Sequence, residues 1–186
     1  MKKSAVCLVF LSILFVGLLG CQSTGGGSSS SSGDRTAEQI YLHMQEAQAA
    51  RRGGDPRKAL KIMASIEDQT DTVPYFHYLK GLIYMDIIEN EKAVNSFKEA
   101  VRLEPRYGEA WNALGTVYAA TEQYDLAVEA FGAALEQETY ETPEFPAMNL
   151  AWLYFNNGDY DMSEKYCLKT IQSDWRMPQA YVLLAE

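Results

Sequence analysis

Few residues in this chain could do chemistry near neutral pH: two histidines, His43 and His77, and three cysteines, Cys7, Cys21 and Cys167. A metal centre needs several such ligands converging, with spacings such as H-E-x-x-H or C-x-x-C, and neither spacing occurs. Cys167 lies within an amphipathic helical run and is expected to be a small buried apolar residue, not a nucleophile. The glycines from Gly25 to Gly33 sit among serines in a linker and cradle no phosphate, and no serine stands in a nucleophile elbow. The 25 acidic residues outnumber the 16 basic ones, for a net charge of −9, but they fall mostly at solvent-facing helix positions or caps. That charge argues against DNA or RNA as a partner and against charge-driven adhesion to anionic lipid. No catalytic set, metal or cofactor is therefore expected, and function must come from a surface.

The elements that carry that surface repeat. From Gly108 the order is Trp111, Leu114, Gly115, Tyr118, then Tyr124, Ala127, Phe131 and Ala134. With Gly108 as position 1, these are Trp 4, Leu 7, Gly 8, Tyr 11, Ala 20, Phe 24 and Ala 27, the consensus spacing of the tetratricopeptide repeat. Gly81, Tyr84, Ala93, Phe97 and Ala100 repeat it 34 residues earlier, and Leu150, Ala151 and Tyr154 repeat it 36 residues later. A weaker copy lies upstream, at Ala47, the turn Gly53-Gly54-Asp55-Pro56, Ala59 and Met63. The apolar spacing predicts paired helices at about 37–52 and 56–66, 73–87 and 90–103, 107–120 and 124–137, and 144–156 and 160–171. Asp55 is expected to cap a helix that opens on Pro56. Gly115 costs a helix about 1 kcal/mol against alanine, which marks it as a point where a second-helix side chain meets backbone. His43 and His77 fall at position 4, beside Trp111 in register, and are expected to pack within their repeats. The fold class is all-α, a right-handed superhelix of antiparallel helix pairs over 37–186, with repeats at about 40–73, 74–107, 108–141 and 144–177. A partial repeat, 178–186, stops in mid-helix. It reads as a truncated product or as a short last helix packed on repeat four, and truncation, with the helix at about 160–171 partly uncovered, is the expectation.

The N-terminus has a different character. Lys2 and Lys3 precede an apolar run from Ala5 to Leu19, 15 residues long, short of the roughly 20 that span a bilayer. Residues 1–20 therefore read as an export signal. Leu18-Leu19-Gly20-Cys21 resembles the bacterial lipobox, in which signal peptidase II cuts before a cysteine that carries diacylglyceryl and N-acyl chains. Cys21 is then the lipidation site, and a lipid membrane is a partner through it. Gln22, in place of the aspartate that retains such proteins at the inner membrane, implies sorting to the periplasmic face of the outer membrane in a diderm. Residues 21–36 are Gly/Ser-rich, a flexible tether with an r.m.s. reach of about 20 Å.

In tetratricopeptide superhelices the first helix of each pair lines the concave face, chiefly at positions 2, 5, 9, 12 and 13. The resemblance places Tyr75, Tyr78, Leu82 and Met85 there from repeat two, Asn112 and Thr116 from repeat three, and Phe145, Met148, Trp152 and Phe155 from repeat four. Large aromatic residues on an exposed concave wall suit the capture of an apolar protein segment. Arg51 and Arg52, at the same positions in repeat one, are free to meet an acidic patch or water.

Lipobox, tether and repeats in that order resemble the type IV pilus biogenesis/stability (pilotin) lipoproteins. The segment Thr142-Pro143-Glu144, with Asn149-Leu150-Ala151-Trp152-Leu153-Tyr154 and Gly158-Asp159-Tyr160, is similar to their later repeats. That resemblance implies a membrane-tethered, non-enzymatic assembly factor whose groove binds an apolar segment of an outer-membrane secretin. Two other readings stand beside it. One is a general envelope adaptor recruiting cell-wall enzymes or outer-membrane assembly factors, and the other an accessory subunit of an envelope enzyme.

Overall fold

The computed structural model describes residues 32–186, with side chains from Ala37 onward. The signal, Cys21 and the tether up to residue 31 lie outside the described residues. Helices α1 (Ser32–Arg52) and α2 (Pro56–Ala64) form the first pair, α3 (Pro74–Asp86) and α4 (Asn90–Leu103) the second. The third is α5 (Gly108–Ala120) with α6 (Tyr124–Leu135), and the fourth α7 (Glu144–Asn156) with α8 (Tyr160–Ser173). A short α9, Pro178–Leu184, follows. Bounds agree with the sequence spacing to within a few residues. The exceptions are α1, which starts earlier, and α2, which ends at Ala64 before a 3-10 turn over Glu67–Gln69.

Each second helix packs on its own first helix and on the first helix of the next pair. The first helices also touch in succession, α1 to α3, α3 to α5, α5 to α7 and α7 to α9. Closer spacing on that side curves the stack, so α1, α3, α5 and α7 form its inner layer.

One core contact recurs at positions 8 and 24. A Cβ added to Gly115 would lie 2.6 Å from the Phe131 ring, and one added to Gly81 would lie 2.5 Å from Phe97. The glycine thus admits a phenylalanine edge onto helix backbone, as the spacing required. Where position 8 is Ala47 or Ala151, position 24 is the slimmer Met63 or Cys167, all four buried. Volume is shared between the two positions, which is why a cysteine replaces the ring in repeat four. Burial also raises the Cys167 thiol pKa, keeping it in its unreactive protonated form.

The turns inside the pairs share one geometry. Gly54, Ile88, Glu122 and Gly158 all have positive φ, between 60° and 81°. The residue after each donates its N–H to a carbonyl five positions back, as in Asp55 to Ala50 and Glu89 to Tyr84, both 2.9 Å, closing a Schellman motif. Asp55 then caps α2, accepting from the Lys58 N–H at 2.9 Å, with Pro56 opening the helix. Ile88 is the strained member: a β-branched residue at φ 61° that is 79% exposed and so recovers little by packing. Ile88→Gly is expected to raise stability by about 0.5–1 kcal/mol, relief of strain outweighing the added freedom of the unfolded chain. A higher urea midpoint measures it, and an unchanged or lower one contradicts it.

Candidate functional site

The inner layer carries the predicted groove residues, but not all of them are offered to a partner. Phe145 and Trp152, seven residues apart on α7, are 48% and 39% exposed. Phe155 is half-buried and meets the Trp152 ring edge to face, 6.1 Å between centroids. Tyr160, the first residue of α8, extends this row, its ring 5.5 Å from that of Phe155. Tyr160 is 64% exposed and was missed by the sequence reading, because position counting along first helices skips a residue across the turn. Phe155 and Tyr160, with Leu183 and Leu184 of α9, line a cavity of about 320 Å³.

Met148 departs from the expectation. It is 5% exposed and packs with Ala151, Cys167, Ala180 and Leu183, because α9 lies over that part of α7. It is core, not groove wall.

The wall expected from repeat two is also mostly packing. Tyr78 lies 5.0 Å from the Tyr107 ring and 6.0 Å from that of Phe97, and it packs against the cluster of Ala100, Val101 and Ala110, bridging the second and third repeats. Burial, aided by nearby Glu109, pushes its hydroxyl pKa up to about 12. Leu82 and Met85 are half-buried against the same core, and Tyr75 packs at the edge of the first. Burial raises the Tyr75 pKa as well.

Asn112 and Thr116 form a polar floor already partly satisfied. The Asn149 side-chain amide donates to Asn112 Oδ1 at 3.3 Å, joining α7 to α5. The Thr116 hydroxyl donates to the Asn112 backbone carbonyl at 2.9 Å. At the other end Arg51 reaches across from α1 to Asp86 on α3, 3.3 Å apart, so it is paired within the chain and not free for a partner's acidic patch.

The two histidines divide. His77 donates through Nε2 to the Asp71 carbonyl at 2.8 Å, and Trp111, its equivalent one repeat on, donates Nε1–H to Pro105 at 3.0 Å. Position 4 thus ties α3 and α5 to the loops before them. His43 is the correction: it is exposed and contacts the Gln39 carbonyl of its own helix at 2.8 Å, with no loop partner among the described residues. Among the described residues, no three His, Cys, Asp or Glu side chains come together as a metal site would require.

The tetratricopeptide repeat family model matches residues 78–142 and 118–178. The chain belongs to the tetratricopeptide repeat family. Members of that family are protein–protein interaction modules, and this chain is one. It is 27% identical over 119 residues to tetratricopeptide repeat protein 37 of Xenopus laevis, which covers 63% of this chain but only 7% of that protein's length. Solved structures share its fold. Pseudomonas aeruginosa PilF is 15% identical with a TM-score of 0.74, covering 80% of this chain and 67% of that one. PilW, described as a widely conserved type IV pilus biogenesis factor, is 22% identical with a TM-score of 0.69, covering 76% and 65%. MamA is 18% identical with a TM-score of 0.68, covering 78% and 84%.

Proposed function

We propose that this tetratricopeptide repeat protein is a lipid-anchored assembly factor of the pilotin type, held by Cys21 at the periplasmic face of an outer membrane. Its aromatic row of Phe145, Trp152 and Phe155 on α7 with Tyr160 at the start of α8 receives an apolar segment of a type IV pilus secretin. The observation that carries this reading is the exposed pair Phe145 and Trp152 on an inner-layer helix. Contact area of this size at low entropic cost is what binding hot spots supply. The order of signal, lipobox, tether and repeats supports the membrane and secretin parts, as does the fold shared with the type IV pilus biogenesis factor PilW.

The test removes the row without disturbing the core. Phe145→Ala combined with Trp152→Ala is expected to keep the far-ultraviolet circular dichroism of the parent, since neither side chain belongs to the buried core. Heat-resistant secretin multimers in cells should fall at least tenfold on membrane blots, in line with the loss of two hot-spot residues. Multimers at parental level, with the variant folded and abundant, would remove the secretin from the proposal. Tyr78 is unsuited to this experiment, because its loss would unpack the second and third repeats.

A further inference from the structure

We propose that the cleft between the third and fourth repeats, away from the aromatic row, takes a lysine or arginine side chain from a cationic, apolar-flanked segment of a partner protein. The argument rests on comparing equivalent positions in successive repeats. Tyr84, Tyr118 and Tyr154 all hold position 11. Lys92 Nζ lies over the Tyr84 ring, 5.7 Å from its centroid, and Lys98 Nζ lies over the Tyr118 ring at 5.8 Å. Both distances are within the range of a cation–π contact. Lys98 reaches Tyr118 from the second helix of the preceding repeat. The residue in that place for Tyr154 is 34 positions on, and it is Gly132.

A Cβ built on Gly132 meets nothing within 4 Å, so space is open where the lysine stem would run. Tyr166 stacks on one face of Tyr154, 5.6 Å between centroids and 2° between planes, and Lys165 Nζ lies 5.4 Å from the centroid of the Tyr166 ring, not over Tyr154. Among the described residues, no cation stands over Tyr154.

The cleft around Tyr154 is built for a cation from elsewhere. It measures about 810 Å³, against about 450 Å³ for its equivalent between repeats two and three. Its carboxylates are Glu122, Asp125 and Glu129, its apolar surface comes from Val128 and Leu153, and no lining residue is basic. Position 22 shows the shift in charge: Asn95 in the cleft that holds its own lysine, Glu129 in the one that does not. Three acidic groups beside a tyrosine that lines the cleft complement a cationic side chain, and the apolar patches favour hydrophobic neighbours around it. The site shares no residue with the row proposed for the secretin, so either proposal can fail alone.

The probe is a fluorescent decapeptide alternating arginine with valine, and its glutamate-for-arginine twin is the control. Both are titrated by anisotropy against the full chain in a non-ionic detergent. Saturable binding of the arginine peptide alone is expected. Gly132→Lys, which supplies the missing internal cation and favours helix, should weaken that binding about tenfold. Glu129→Asn should weaken it about threefold. Ala64→Lys, the same charge change at the equivalent position one interface away from Lys98, should leave it unchanged. The proposal is overturned if the parent fails to bind the arginine peptide or binds the glutamate twin as tightly. It is equally overturned if Gly132→Lys binds like the parent, or if Ala64→Lys weakens binding as much as Gly132→Lys.

Discussion

Phe131→Ala is expected to lower stability by about 3–5 kcal/mol, the range for deleting a buried aromatic side chain. The ring is 1% exposed and rests on the Gly115 backbone, in a core shared with Leu114, Tyr118, Ala127 and Leu150. Helix backbone cannot collapse into the space, so the cavity term stays large. In a stack where each repeat contacts only its neighbours, the damage reaches both interfaces of repeat three. A whole domain is stable by about 5–15 kcal/mol, so the loss could take most of it. Urea unfolding followed at 222 nm reads the change, and a loss below about 1 kcal/mol would mean that repeat three does not centre the core.

A second substitution turns that number into a test of the contact itself. Gly115→Ala alone gains about 1 kcal/mol of helix propensity but sets a Cβ 2.6 Å from the ring, so the net effect is destabilising. In the Phe131→Ala background the ring is gone, and the same change should stabilise. A change of sign between the two backgrounds is the signature of a direct contact. Equal effects in both would show that the glycine is there for some other reason.

These contacts mark what the sequence could and could not disclose. The register was legible because Gly81, Gly115, Phe97 and Phe131 sit at fixed offsets with a single physical purpose. Asp55 and Pro56 were legible because capping is decided within four residues. Exposure on the inner layer was not, because it depends on which element lies across the surface. Met148 and Trp152 occupy comparable inner-layer positions, yet α9 covers the first and leaves the second open. Tyr78 has the composition of an anchor, but Tyr107, the residue just before α5, fills the space beside it. The positive φ of Ile88 was hidden for a related reason. Glycine announces such a turn, and here the surrounding Schellman hydrogen bonds impose it on a residue that resists it. A spacing rule gives the face of a helix. The neighbour decides whether that face is wet.

The anchor is the other place where a single atom should have a large effect. Cys21→Ser is expected to abolish incorporation of labelled palmitate and to move the protein from the membrane pellet to the soluble fraction. The substituted hydroxyl cannot form the thioether that holds the diacylglyceryl group, and cleavage before that residue depends on it. Each buried methylene of an acyl chain contributes about 0.8 kcal/mol, so losing two or more chains removes far more than any surface contact could replace. A net charge of −9 opposes adhesion to anionic lipid, and no helix among the described residues is long and apolar enough to cross a membrane. The uncleaved run from Ala5 to Leu19 would be 15 residues, roughly 22 Å as a helix against a hydrocarbon core of about 30 Å. It should therefore hold the variant weakly, and a carbonate wash separates weak adhesion from acyl anchoring. Palmitate label or carbonate-resistant membrane protein in the serine variant would refute the lipobox reading. Loss of the anchor should also cost secretin multimers while leaving Phe145 and Trp152 intact, because a soluble protein no longer concentrates its groove at the membrane where a secretin inserts.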